Sequence, residues 1–250
     1  MKKIGLFLLC IGLYNLGFSF ESDLISERPG QALTPNCLNR GNVQVQTGMI
    51  YDFYKYIGPV LFDNLSSINS YSNILNNTVL RFGLGEKFEI NTSLDYSTTH
   101  TYLSAPIVGF KALLVNDEMN SLAVQYNSVI HQFNDDVYSN ALKLISTHQL
   151  TSKSSVSLNG GMFYTPRIDE FGGDYVISLG INPTKKLGIV LENYGNYAHE
   201  FKTYFDAGVG YLIAPLLQVD TYFGLGANES ENTFFVNAGL TYRFDYKGNE

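Results

Sequence analysis

Between Phe234 and Phe244 the even positions are Phe234, Val236, Ala238, Leu240, Tyr242 and Phe244, and the odd ones Phe235, Asn237, Gly239, Thr241 and Arg243. Side chains on a strand alternate between faces. One face of this segment is therefore apolar, and the other is mostly small or polar and carries a charge. The pattern recurs at 88–96, where Phe88, Ile90, Thr92, Leu94 and Tyr96 oppose Glu89, Asn91, Ser93 and Asp95. It recurs again at 203–213, where Phe205, Ala207, Val209, Tyr211 and Ile213 oppose Asp206. Twelve strands are predicted: 43–54, 78–85, 88–96, 107–115, 121–130, 141–150, 155–164, 175–181, 187–194, 203–213, 217–226 and 234–244. The alternation is weakest in the sixth and ninth. There Leu142 and Leu144 face away from Ile145, and Val190 shares a face with Glu192.

The connections alternate in length. Short turns are expected at 85–87, 116–118, 151–153, 182–186 and 214–215, and longer polar links at 55–77, 97–106, 131–140, 165–174, 195–202 and 227–232. A β-sandwich has no reason to alternate its links in this way. An outer-membrane barrel does, having short periplasmic turns and longer outer loops. The expected fold is thus all-β, a transmembrane antiparallel β-barrel with lipid outside and a polar lumen. An even strand count leaves both chain ends on the periplasmic side.

Composition agrees. Charged residues make up 16% of the chain, against about 25% in soluble domains. Tyr and Phe number 18 and 17, and Trp is absent. Aromatic girdles at both membrane interfaces account for such a bias. Mean hydropathy is −0.03, as expected where every second residue is polar. The net charge of −7 argues against nucleic acid as a partner. Met1-Lys2-Lys3, the apolar run Ile4–Leu16 and Gly17-Phe18-Ser19 form a secretory signal, with cleavage expected near Ser19. Leu9 precedes Cys10, so no lipoprotein signature is present, and Cys37 is the lone cysteine of the mature chain. The expected organisation is a signal peptide at 1–19, an extended periplasmic lead-in or partial plug at 20–41, the barrel at 42–246 and a polar tail at 247–250.

The lead-in contains Pro29 and Pro35 and does not alternate, so a central strand is disfavoured there. It reads Glu27-Arg28-Pro29-Gly30-Gln31, then Thr34-Pro35 and Arg40-Gly41, followed by Gln44-Val45-Gln46-Thr47-Gly48 in the first strand. This opening resembles that of the outer-membrane transporter family named after meta-pathway phenol degradation. That family has an acidic-Arg-Pro-Asp block, a Ser/Thr-Pro, a Gly and a strand ending in Gly. Gly30 stands where the family has an acidic residue. The resemblance implies passage of small, often hydrophobic or aromatic, compounds.

The inward charges expected to line the lumen and set selectivity are Arg81, Glu89, Asp95, Lys111, Glu192, Asp206, Asp220 and Arg243. They either line a water path or pair into a network that closes it, with Arg243 beside Asp220 on the neighbouring strand. The pairs Gly83/Gly85, Gly208/Gly210 and Gly224/Gly226 share faces with Arg81, Asp206 and Asp220. No helix follows any of them, which excludes a nucleotide-binding loop. Missing side chains there either relieve curvature or let another segment lie against the wall. The expected segment is 22–38, with Arg28, Pro29 and Gln31 at the mouth.

The histidines His100, His131, His148 and His199 match no metal spacing, and no metal or other cofactor is expected. Ser146 and His148 share a strand face, which leaves an outer-membrane hydrolase of phospholipase type as an alternative, since a Ser–His pair can activate a hydroxyl. A structural or adhesive barrel is a third reading, with Tyr56, Phe62 and Tyr71 in the longest outer loop. Acids gather in the outer links at Asp135, Asp136, Asp169, Glu170, Asp174, Glu229 and Glu231. The expected partners are outer-membrane lipid, lipopolysaccharide and a small-molecule solute.

Overall fold

The computed structural model describes residues 24, 26–56, 70–104, 106–129, 140–165, 170–198, 200–228 and 231–245. The signal peptide, the tail, Phe62, His131, His199, Asp135, Asp136, Asp169 and Glu229 lie outside them. The strands are β1 (Val43–Tyr56), β2 (Ser70–Gly85), β3 (Phe88–Ser97), β4 (Tyr102–Leu103), β5 (Ile107–Asn116), β6 (Asn120–Val129), β7 (Asn140–Thr151), β8 (Ser154–Thr165), β9 (Glu170–Thr184), β10 (Leu187–Tyr197), β11 (Phe201–Ala214), β12 (Leu217–Ala227) and β13 (Glu231–Phe244). Every long strand pairs antiparallel with its neighbours in sequence, and β1 closes the ring on β13 from Val43↔Phe244 to Tyr56↔Glu231. Closure removes the free edges through which an open sheet aggregates.

Twelve long strands make the barrel, as expected, and the short β4 folds back on the end of β3 through Tyr96↔Leu103 and Ser97↔Tyr102. Two strands begin well before their patterns predict. β2 starts at Ser70, and β9 at Glu170. The stretch Ser70–Asn77 has adjacent Ile74 and Leu75 and five Ser or Asn residues, so alternation fails, yet β1 pairs with it down to Lys55↔Ser70. Gly172 and Gly173 resemble a loop, yet they pair with Phe163 and Met162 of β8. Tyr71 is accordingly a strand residue, stacked on Tyr54 with ring centroids 4.6 Å apart. At the opposite end the connections are tight, at 86–87, 117–119, 152–153, 185–186 and 215–216.

The molecule is apolar outside and polar inside. The buried apolar residues are Leu38, Ala123, Ile145, Val176, Tyr222 and Phe235, whereas large apolar side chains are exposed on every long strand, from Met49 on β1 to Phe244 on β13. Buried groups include Arg81, Glu89, Lys111, Gln44, Asn237 and Thr241, each 0% exposed. Such a surface in water would cost about 1.5–3 kcal/mol per large side chain, and a hydrocarbon layer removes that cost. Strand β13 alternates buried and exposed as its sequence predicts, with Phe235, Asn237 and Thr241 inside and Phe234, Val236, Leu240 and Tyr242 outside. β7 does so too: Ile145 faces inward, and Leu142 and Leu144 face out.

Candidate functional site: a lumen crossed by the lead-in

The lead-in lies inside the barrel, in the half bearing the tight turns. It enters beside β2, where Gly41 N donates to Gly83 O and Gly83 N to Asn42 O, both at 3.0 Å. From there it crosses to the opposite wall, so Glu27 and Arg28 reach different partners.

On one side lies a closed ionic cluster. Arg81 grips Glu89 through two contacts, Nε to Oε1 and Nη2 to Oε2, both 2.8 Å. Lys111 Nζ donates to Glu27 Oε1 at 2.7 Å and lies 3.4 Å from Glu89. Arg81 also lies 3.7 Å from Glu27. Two cations and two anions thus balance in a space that excludes water, as buried charges require. Burial pushes the Glu27 carboxyl upward, but the charges of Arg81 and then Lys111 outweigh it and hold the group below its ordinary value of 4.5. Its stabilising contribution is therefore present above that pH and is lost as pH falls through the depressed value. The backbone is held in the same place: Lys111 and Arg81 donate to the carbonyls of Thr34 and Asn36, both at 3.1 Å, and Leu38 N donates to Glu89 at 3.0 Å.

On the other side Arg28 takes Asp220, with Nη2–Oδ1 at 2.9 Å and Nε–Oδ1 at 3.1 Å. The same guanidinium donates to Asn237 and lies 5.9 Å from the Tyr222 ring centre, while Gln218 holds the Arg28 carbonyl at 2.7 Å. The neighbouring turn is gripped by Glu192, whose carboxylate accepts from the backbone N–H of Gln31 and Ala32. Further on, Asn159 brackets Leu33, accepting from its N–H at 2.6 Å and donating to its carbonyl at 3.2 Å.

The wall is cut to receive this segment. A methyl added at Gly208 or Gly210 would meet Pro29, one at Gly83 would meet the backbone of Leu38 and Asn39, and one at Gly48 or Gly239 would enter the Arg28 guanidinium. At Gly224 and Gly226 the vacated space is filled by the neighbouring rings of Phe235 and Tyr204, and at Gly85 nothing is near. Gly30 explains its own departure from the family pattern. Its φ of 102° is the left-handed region, and a Cβ there would lie 2.5 Å from Glu192 Oε2. An acidic side chain at this position would press against a carboxylate.

Of the inward charges predicted, Arg81, Glu89, Lys111, Glu192, Asp206 and Asp220 are buried in the lumen. Asp95 accepts from Asn77 Nδ2 at 2.5 Å nearer the long-loop end. One expectation fails. Arg243 pairs with Asp245, not Asp220, because the register sets Gly239 opposite Asp220 and carries Arg243 further down β13. Arg28 takes its place. Glu27, Asn159, Gln218 and Asn237 were not foreseen as site residues, since nothing in strand alternation ranks one inward polar residue above another. Ser146 and His148 do not pair: Ser146 Oγ donates to Leu158 O at 3.2 Å and His148 Nδ1 meets Asn120 Oδ1 at 2.7 Å, both on exposed positions. Burial pushes the Cys37 thiol up, away from a reactive thiolate. Asp174 and Glu231, expected among loop acids, pair with Lys143 at 2.9 Å and Lys202 at 3.0 Å.

Open space remains on both sides of the lead-in. Toward the tight turns a cavity of about 370 Å³ runs along small polar wall residues, among them Ser155, Ser157, Ser178 and Gly180. Toward the long loops a cavity of about 180 Å³ is floored by Gln31 and walled by Asp52, Tyr54, Tyr194, Tyr204, Thr233 and Phe235.

A closed barrel of this kind with a polar interior defines an outer-membrane channel fold. The chain belongs to the family described as "MetA-pathway of phenol degradation", whose model matches residues 26–244. In fold it is similar to an outer-membrane channel from Pseudomonas putida F1, with TM-score 0.64 and 11% identity over 88% of this chain and 100% of that one. It is similar also to the KdgM porin, with TM-score 0.60 and 9% identity over 79% of this chain and 99% of that one. A third is the CymD monoaromatic hydrocarbon channel, with TM-score 0.54 and 10% identity over 84% and 90%. No curated protein sequence matches the chain.

Proposed function

We propose that this protein is an outer-membrane channel for passive uptake of small apolar or aromatic compounds, with the lead-in as a partial plug and the inward charges setting selectivity. One observation carries the reading. A segment of chain held by wall side chains crosses the lumen, and cavities lie above and below it. Such a segment can shift without breaking a strand pairing. The tight-turn end, with both chain ends, faces the periplasm, and the apolar belt meets outer-membrane lipid and lipopolysaccharide. The structural neighbours add support, since one is described in complex with oligogalacturonate and another as a monoaromatic hydrocarbon channel. No chemistry is performed in this reading.

Liposome swelling tests it. Proteoliposomes of the intact chain should swell in small solutes, and those of a chain lacking residues 24–40 should swell several-fold faster. Absence of swelling in both would overturn the channel.

A further inference from the structure

The outer cavity is layered by the strand register. In the upper layer Tyr54 pairs with Thr233, Thr233 with Gly226, Gly226 with Tyr204, and Tyr204 with Tyr194. One pair step deeper, Asp52 pairs with Phe235, Phe235 with Gly224, Gly224 with Asp206, and Asp206 with Glu192. A ring of aromatics thus sits directly over a ring of acids. The glycines between them let the Tyr204 and Phe235 rings lie across the wall.

Of these acids, Asp52 alone lines the cavity. Glu192 is engaged with the lead-in backbone. Asp206 is 6% exposed and lies beside the Glu192 carboxylate, behind the cavity wall. Asp52 has no hydrogen-bond or ion-pair partner among the described residues and opens onto the cavity. An observation independent of the acids points the same way: Thr233, also 6% exposed, lines the cavity with its Oγ1 unpartnered. The cations nearby are spoken for, Arg28 by Asp220 and Lys202 by Glu231.

Each class of ligand meets this arrangement differently. A hydrocarbon would leave these buried acceptors unmatched, which costs about 1–3 kcal/mol for each such group. A carboxylate would be repelled by the acids. An aromatic ammonium has three N–H donors for the lower layer and a ring for the upper one. Its charge is also drawn to the faces of the stacked Tyr194 and Tyr204 rings, 5.3 Å apart. We propose that the outer vestibule is a binding site for aromatic amines, with the ring among Tyr54, Tyr194 and Tyr204 and the ammonium over Asp52 beside Thr233. This narrows the uptake reading and rests on it for its physiological sense.

The absence of Trp allows indole probes to be followed by their own fluorescence in full-length protein in detergent. Tryptamine, indole and indole-3-acetate present one ring as cation, neutral and anion. Tryptamine should bind at least about tenfold more tightly than indole, and indole-3-acetate should not compete with it. Asp52→Asn should weaken tryptamine about tenfold and indole far less. Equal binding of tryptamine and indole to the unmodified chain would overturn the proposal, a comparison that needs no variant to fold. So would full tryptamine affinity in the folded Asp52→Asn variant. Swelling without a tryptamine preference would sink this inference and leave the channel. Tryptamine binding in a barrel that never swells would do the reverse.

Discussion

Glu27 and Arg28 are neighbours of opposite sign whose partners lie on opposite walls. Glu27 reaches the cations of β2 and β5, and Arg28 reaches Asp220 on β12. The order of the two residues is therefore as important as their presence. Exchanging them, Glu27→Arg with Arg28→Glu, conserves composition and net charge. It sets arginine against Arg81 and Lys111 and glutamate against Asp220. Like charges within about 4 Å in a poorly hydrated space repel by several kcal/mol, so the lead-in should leave its seat. The exchanged protein should swell liposomes as fast as one lacking the segment, while migrating on gels as a folded barrel. An exchange variant that stayed as closed as the parent would show that backbone contacts, such as those of Asn159 and Leu33, hold the plug without help from charge.

Among the elements, the strands were the legible part. Their ends moved where polar or glycine-rich stretches, Ser70–Asn77 and Glu170–Asp174, were recruited by an already paired neighbour. Strand pairing supplies what local pattern lacks. The inward face was legible as a set: six of the eight predicted charges are buried in the lumen. Which of them pair was not, because partners such as Arg28 and Asp220 stand 192 positions apart and the lead-in has no periodicity to orient it. The faces themselves make a prediction. Leu144, exposed midway along β7, pairs with Gly160 on one side and Val124 on the other, whereas Ser157 on β8 lines the lower cavity. A lysine at a lipid-facing midplane position costs about 2–4 kcal/mol, and a lumen position tolerates it. Leu144→Lys should lower the unfolding free energy read from urea titrations in lipid vesicles by that amount, and Ser157→Lys should leave it nearly unchanged. Equal loss from both would place water, not lipid, around the barrel.

For the molecule as a whole, the lead-in reconciles charge between two walls. Arg81, Glu89 and Lys111 leave a formal +1 on the wall formed by β2, β3 and β5. Glu192, Asp206 and Asp220 leave −3 on the wall formed by β10, β11 and β12. The Glu27–Arg28 pair adds no net charge, yet it neutralises the first wall and lowers the second to −2. Removing the segment exposes opposed patches across one lumen, with acid in excess. Every strand pairing survives the deletion, since the closing ladder β1–β13 begins at Val43. The truncated barrel should therefore conduct, and its net acid should favour cations. Under a KCl gradient across a planar bilayer, its reversal potential should lie on the cation side. The preference should fade as salt shortens the Debye length from about 10 Å at 0.1 M to about 3 Å at 1 M. Replacing Glu192, Asp206 and Asp220 by their amides in the truncated chain leaves the +1 wall alone and should turn the preference toward anions. A truncated pore that prefers anions from the start, or ignores all three replacements, would mean that current bypasses this layer, and the lead-in could not then be the gate.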